Sequence, residues 1–406
     1  MITSSKTRDL GVMNSAGLQP AISEAVVSAC LRVFEGRLRA VVLTGSVARH
    51  EATFIHDPGG WEALGDAEFF LVFDKRSALP GGAVTESVRQ QAQRTLAAQG
   101  IRCKIDLSPV HPAYLRGLQP HILAYELREC GEVVWGDPTI LSLIPRFRAS
   151  AIELEDAWRL LCNRMVEYLA VAADLLDPDQ LLPPAAFYRT VKLYLDMATS
   201  LLVFVGEYEP TYSARAIRLS SLAAACPPKV DFPFPLDAFA TRVAFCTSFK
   251  LNGEATATFS GAEARTFWKD AVAYARLLWR WELRRLSDAE NTLSDHELIQ
   301  AWMRCESSYA RLRGWASILR RCGWMRSFKR WPRWVRLAAH GTPRHWIYAV
   351  AAELCFGLCE THLGQQPNWK ELESWLPMNC REDGRVLDIY SQVAANYHQF
   401  LETTCA

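Results

Sequence analysis

The chain has 406 residues, of which half are hydrophobic and 22% are charged, so it is long enough for two or three globular domains. Its 45 lysines and arginines against 44 aspartates and glutamates give a net charge of +1, which excludes a protein whose overall charge attracts nucleic acids or membranes. Any such attraction must come from a local cluster of charge.

The twelve cysteines are scattered, with no CxxC pair and without the density of a disulfide scaffold. They indicate reduced thiols and therefore a cytoplasmic protein. The N-terminal stretch lacks the apolar core of a signal peptide, and no uninterrupted apolar run approaches the roughly 18 residues that cross a bilayer. The sequence therefore predicts no transmembrane segment.

The first part of the chain alternates between helix and strand patterns. Apolar residues at helical spacing predict a helix over 20–35, and a β-branched run predicts a strand over 38–44 that ends at Gly45. The polar stretch 50–65, with Asp57, Pro58, Gly59 and Gly60, predicts a loop. A strand, a helix and a strand are then expected at 66–73, 84–99 and 101–107. This order predicts a small α/β unit.

From about residue 151 the pattern changes to long helical periods, interrupted by segments rich in proline or glycine. Strand signals nearly vanish. We therefore predict an α+β fold in which a small mixed-sheet domain is followed by a mainly helical region. The expected divisions are an α/β domain at 1–145, a helical domain at 146–300 that flanks a cleft, and a helical C-terminal region at 301–406.

Three carboxylates are expected to converge at one end of the sheet. Asp66 and Glu68 are two residues apart on a strand and therefore project from the same face. In the strand IRCKIDL, alternation directs Asp106 away from the apolar layer. If the two strands are neighbours, the oxygens meet in an anionic arrangement that suits Mg²⁺ and leaves coordination positions for phosphate.

The stretch LTGSVARH at 43–50 supplies the other half of this hypothesis. Gly45 would let the backbone approach a phosphate closely, and Ser46 would offer a hydroxyl and an N–H at the start of a helix. A Gly-Ser turn alone is common, and so is a DxE pair on a solvated strand. Their conjunction, in this order and on these elements, indicates a site for a metal-bound phosphate.

On these residues the sequence resembles the nucleotidyltransferase superfamily of the DNA polymerase beta type. The resemblance lies in TGSVARHE at 44–51, GDAEFFLVF at 65–73, KIDL at 104–107 and ELRECGEVVWGDP at 126–138, all within about the first 140 residues. It implies a two-metal Mg²⁺ site on Asp66, Glu68 and Asp106. Gly45, Ser46 and Arg49 would bind the nucleotide, and Asp106 would help to activate the acceptor hydroxyl.

The resemblance also implies the activity, which is transfer of a nucleoside monophosphate from a nucleoside triphosphate, with ATP as the default donor, to an acceptor hydroxyl. A helical domain beside the sheet would form the acceptor side of the cleft. Lys192 in that domain would then reach the triphosphate, although a solvated helical face explains the Lys192 and Asp196 pair equally well. The alternative is an inactive protein of this fold that binds nucleic acid, a membrane surface or a protein partner.

A basic segment at 311–346 stands apart from these motifs. It holds ten arginines and lysines and five tryptophans, and no acidic residue occurs between Glu306 and Glu353. Basic residues with interleaved aromatics suit nucleic acid, and they equally suit an anionic membrane surface. The third interpretation is a helical hairpin whose arginines pair with acids elsewhere in the chain.

Overall fold

The computed structural model describes residues 12–14, 17–177, 182–225, 231–252, 261–290, 292–322, 331–362, 368–377 and 386–404. They form two compact units. The first comprises the described residues within 1–153, 206–222 and 240–257, and the second comprises the remainder. The predicted boundary at 145 thus lies close to the end of the first unit's N-terminal part. No pattern in the sequence predicted that 206–222 and 240–257 also belong to that unit.

The first unit is built on a six-stranded mixed sheet. Its strands are β1 (Val12–Asn14), β2 (Leu38–Thr44), β3 (Thr53–Asp57), β4 (Gly60–Phe73), β5 (Ile101–Val110) and β6 (Glu132–Gly136). Its N-terminal helices are α1 (Gln19–Phe34), α2 (Gly45–Ala48), α3 (Gly82–Ala98), α4 (Pro112–Arg116) and α5 (Ile122–Cys130). The predicted α+β class is confirmed in this coarse sense.

The central strand β4 pairs with three others. It is antiparallel to β3 and to β2 and parallel to β5, while β6 extends the sheet beyond β2 and β1 extends it beyond β3. The connection from β4 through α3 to β5 is the crossover that a parallel pair requires. The strands that carry the three carboxylates, β4 and β5, are therefore neighbours.

The sequence predicted a loop over 50–65, and this prediction is wrong. Most of the stretch forms the hairpin of β3 and β4. Pro58 and Gly59 make its two-residue turn. Gly60 begins β4 at a φ of 111°, and a Cβ there would lie 2.0 Å from the carbonyl oxygen of Gly100. Short strands with mixed polarity, next to proline and glycine, give a loop pattern in sequence, although Phe54 is buried.

Helices cover both faces of the sheet. On one face α1 and α3 bury the alternate residues Ala67, Phe69 and Leu71 of β4, together with Ile105 of β5. On the other face α4 and α5 cover Phe70 and Val72 of β4. Burial of these apolar side chains supplies most of the driving force for folding of the first unit. Strand alternation assigns three carboxylates to this second face, beyond the end of its apolar cluster: Asp66, Glu68 and Asp106.

After residue 153 the described part of the chain is mainly helical. In order, its helices are α6 (Leu154–Tyr168), α7 (Ala172–Leu176), α8 (Pro184–Phe204), α9 (Tyr212–Ala224), α10 (Leu236–Asn252), α11 (Gly261–Ser287), α12 (Asp295–Cys305), α13 (Ser308–Cys322), α14 (Trp331–Ala338), α15 (Pro343–Phe356), α16 (Leu358–His362), α17 (Trp369–Trp375) and α18 (Val386–Thr404). In the second unit α8 is buried along nearly its whole length among α6 and α11.

Within the described parts of the chain, no helix combines the length and apolar character needed to cross a membrane. Every cysteine whose side chain the structure describes is a free thiol.

Candidate functional site

The Gly-Ser turn lies directly beside the second carboxylate of the DxE pair. Thr44, at the end of β2, is the cross-strand partner of Glu68 on β4. Gly45 follows with a φ of 71°, and a Cβ at this position would lie 2.8 Å from Oε2 of Glu68. Both the backbone conformation and the close approach therefore require glycine. Two motifs about twenty residues apart in sequence are thus brought together.

The third carboxylate lies on the neighbouring strand at the same level. Glu68 of β4 and Asp106 of β5 are directly paired in the parallel register, and Asp66 is paired with Lys104. Glu68 and Asp106 are exposed, and Asp66 is half-buried. Adjacent strands are about 4.8 Å apart, so paired residues on one face are close neighbours. Asp66, Glu68 and Asp106 therefore lie on one face at this edge of the sheet.

The electrostatics of Glu68 reflect this crowding. Protein atoms surround its carboxylate although the side chain keeps contact with solvent, and this desolvation is the largest cause of a raised pKa. The negative charges of Asp66 and Asp106 raise the pKa of Glu68 further, whereas Arg49 opposes them. The repulsion between like charges that raises this pKa decreases when a cation binds among them.

One cation already lies at this edge of the sheet. Nζ of Lys104 donates a hydrogen bond of 2.7 Å to Oδ2 of Asp66, and this bond raises the pKa of Lys104. Among the described residues, no three histidine, cysteine, aspartate or glutamate side chains are gathered closely enough to enclose a metal ion. The three carboxylates therefore share a face, with Asp66 two residues before the level of Glu68 and Asp106, and Lys104 partly neutralises them.

The donor set nevertheless suits Mg²⁺. All three groups offer carboxylate oxygen, which is the ligand that hard divalent cations prefer. Both side chains of the salt bridge between Lys104 and Asp66 are well exposed, at 62% and 38%. An exposed salt bridge is weak, so Lys104 would compete only weakly with a metal ion for Asp66. These residues fit a divalent cation by their chemistry.

Arg49 was predicted to bind nucleotide, and the structure places its guanidinium in a buried ionic cluster. We define this cluster as Arg49, Glu51, Glu126, Tyr208 and Arg215, all in the first unit. Nη1 of Arg49 lies 2.6 Å from Oε2 of Glu126, and its Nε lies 3.1 Å from Oε2 of Glu51. Arg49 is thus fixed by two carboxylates, while its charge still reaches Glu68.

Glu126 is the centre of the buried ionic cluster. Besides Arg49, it accepts hydrogen bonds from Arg215 and, at 2.5 Å, from the hydroxyl of Tyr208. Burial alone would raise the pKa of Glu126, but the charges of Arg49 and Arg215 outweigh this effect and lower it. Oε1 of Glu51 also accepts a hydrogen bond from the backbone N–H of Ser213, at the start of α9. The cluster thus connects the end of α2 to α5 and α9.

The sequence did not reveal the buried ionic cluster. Tyr208 and Arg215 come from the stretch VGEYEPTYSAR at 205–215, where no local pattern marks them as partners of Glu126, and each is at most 3% exposed. The guanidinium groups of Arg49 and Arg215 lie 5.3 and 5.1 Å from the ring centre of Tyr212. In the sequence, the signal for the buried ionic cluster was Arg49, which follows the Gly-Ser turn.

Lys192 belongs to the second unit. Its Nζ lies 5.9 Å from the ring centre of Tyr188, and the charge of Arg164, followed by burial, lowers its pKa. Asp196, which the sequence paired with Lys192, accepts a hydrogen bond of 2.5 Å from Nε of Arg164. The role of Lys192 in nucleotide binding stays a prediction.

Comparison of the chain with protein-family models, with curated proteins and with solved structures gave no match. The functional argument therefore rests on the geometry described above.

Proposed function

We propose that the first unit is a nucleotidyltransferase domain, in which Mg²⁺ assists the transfer of a nucleoside monophosphate from a nucleoside triphosphate to a hydroxyl group. ATP is the default donor. The observation that carries this proposal is the position of Glu68, which is paired with Asp106, is two residues from Asp66 and lies against Gly45. The Gly45 turn and a set of candidate metal ligands therefore share one edge of the sheet.

In this proposal Asp66, Glu68 and Asp106 would hold the metal ions. Bound Mg²⁺ would neutralise the triphosphate and lower the pKa of the attacking hydroxyl. At the turn that Gly45 begins, Ser46 would offer its N–H and hydroxyl to a phosphate. A carboxylate oxygen of Asp106, which is exposed, accepts the proton of the acceptor hydroxyl.

A transfer assay tests the proposal. The full chain is incubated with α-labelled ATP, Mg²⁺ and a cell extract that supplies acceptors, and we expect pyrophosphate release with transfer of the label. Asp106→Asn should lower the rate by about a hundredfold or more, because it removes a proton acceptor and a metal ligand. The matched control is Glu62→Gln, since Glu62 lies earlier on β4 in an exposed pair with Arg102.

Equal loss of activity in the Asp106 and Glu62 variants would contradict the assigned site. Label transfer that persists in Asp106→Asn, or that does not require Mg²⁺, would contradict the reaction. The inactive alternative predicts no transfer at all from wild-type protein.

A further inference from the structure

The basic segment at 311–346 is not used by the proposed reaction. Its described parts belong to α13, α14 and the first residues of α15, all in the second unit. Helices α13 and α14 pack against each other through Trp315 and Trp334, whose ring centres are 5.8 Å apart. Nη1 of Arg311 also donates a hydrogen bond of 2.8 Å to the carbonyl oxygen of Ala339. The two helices therefore pack side by side, and each has an exposed face.

Three of the segment's tryptophans are internal. Trp315, Trp334 and Trp346 are each at most 5% exposed. Their indole N–H groups donate hydrogen bonds of 2.7–3.0 Å to the carbonyl oxygens of Gly341, Pro377 and Leu337, respectively. A buried indole with a satisfied donor cannot stack on a nucleic-acid base. The feature that most favoured single-stranded nucleic acid is therefore used for packing.

Aliphatic and tyrosine side chains lie on the outside instead. The four most exposed large hydrophobic side chains among the described residues include Tyr309 (74%), Leu312 (70%) and Val335 (66%). On α13, Tyr309, Leu312 and the exposed Arg313 and Arg320 follow the i, i+3, i+4 and i+11 spacing of one helical face. Apolar and basic groups are therefore interleaved on the surface that points away from the tryptophans.

The basic segment has no acidic residue of its own to balance these arginines. No acidic residue occurs between Glu306 and Glu353. Arg311 and Arg336 donate to the backbone carbonyl oxygens of Ala339 and Ser374, and a carbonyl satisfies a donor without neutralising its charge. On α14, Val335 and Arg336 are adjacent and exposed, so they repeat the pairing of apolar and basic groups seen on α13.

We propose that the outer face of α13 and α14 docks on the anionic surface of a lipid bilayer. Tyr309, Leu312 and Val335 would enter the headgroup region, while Arg313, Arg320 and Arg336 would lie among the lipid phosphates. Amphipathic helices of this kind bind at the interface through buried apolar area together with attraction to anionic lipid. This inference does not depend on the proposed transferase activity.

Vesicle co-sedimentation of the full chain tests the proposal. Wild-type protein should sediment with vesicles in which a third of the lipid is phosphatidylserine, and it should remain in solution with pure phosphatidylcholine. The triple variant Arg313→Glu, Arg320→Glu and Arg336→Glu should bind about tenfold more weakly or worse. The variant Leu312→Ser with Val335→Ser keeps every charge, and it should also lose several-fold in affinity because it removes apolar contact.

The matched control changes three exposed arginines of the first unit, Arg32, Arg76 and Arg116, to glutamate. This variant has the same net charge as the triple variant of the basic segment and should bind anionic vesicles like the wild type. Since all substituted positions are exposed, circular dichroism and melting temperature should be unchanged in each variant.

Three results would overturn the proposal. The first is equal binding to neutral and anionic vesicles, and the second is equal loss in the control variant. The third is binding of a single-stranded RNA that displaces the protein from anionic vesicles and is insensitive to Leu312→Ser with Val335→Ser, which would identify nucleic acid as the partner.

Discussion

Glu126→Gln is expected to lower the free energy of unfolding of the first unit by roughly 3 kcal/mol at neutral pH. The substitution removes the one carboxylate that contacts both Arg49 and Arg215, and the two guanidinium groups would remain buried with fewer compensating charges. Breaking a buried ion pair from one side costs about 3–5 kcal/mol. We choose the low end of this range because 14% of the Glu126 side chain is exposed. Urea unfolding monitored by circular dichroism measures the change.

The pH dependence of this effect has a defined sign. The pKa of Glu126 is lowered in the folded protein, so its contribution is present above the ordinary pKa of a glutamate. It is lost as the pH falls through the lowered folded-state pKa, and wild type and variant should converge in acid. The matched control is Glu129→Gln on the same helix, where the side chain is 48% exposed and the change should be within about 0.5 kcal/mol. Equal effects of the two substitutions would show that the cluster contributes little.

Glu282→Gln should stabilise the second unit, and increasingly so as the pH rises. Glu282 lies on α11 with no solvent exposure and accepts a hydrogen bond of 2.6 Å from Ser200, while its Oε2 has no partner among the described residues. Burial raises its pKa to about 8, so the folded protein keeps the carboxyl group neutral at pH 7.

The sign of the Glu282 effect follows from linkage. Between the unfolded pKa of about 4.3 and the folded value, only the unfolded chain is ionised, so wild-type stability falls as the pH rises. Glutamine is neutral in both states and avoids this loss. The stability advantage of the variant should therefore reach about 4 kcal/mol near pH 7 and level off above pH 8. Thermal and urea unfolding across this pH range measure it.

Glu263→Gln is the control for this prediction, because Glu263 lies on the same helix and is exposed. Its effect on stability should be small and nearly independent of pH. A pH-independent difference between Glu282→Gln and wild type would contradict a neutral Glu282 in the folded protein.

The parts of the fold that could be predicted are those encoded by local periodicity. Alternation in β5 correctly directed Asp106 away from the core, and the two-residue spacing of Asp66 and Glu68 placed them on one face. The turn at Gly45 was also correctly located, because a positive φ and a close neighbour both require glycine, which is visible in the sequence.

The parts that could not be predicted depend on contacts between distant residues. The hairpin of β3 and β4 is stabilised by Gly60 against Gly100, forty residues later, so its own sequence resembles a loop. Thr53 donates a hydrogen bond of 2.7 Å to the carbonyl oxygen of Lys250 on α10. Both residues belong to the first unit, although they are far apart in sequence. Glu126 and its arginines come from three separate segments, and no local pattern marks such a cluster.

Calorimetric titration with nucleoside triphosphates tests the central claim most directly. The four ribonucleoside triphosphates are titrated into wild-type protein and into Asp66→Asn, with and without Mg²⁺. Our account predicts that wild-type protein binds at least one of them only when Mg²⁺ is present, and that Asp66→Asn does not. If no nucleotide binds to wild-type protein, or if binding is equal in Asp66→Asn, then Asp66, Glu68 and Asp106 do not form a site for a metal-bound triphosphate.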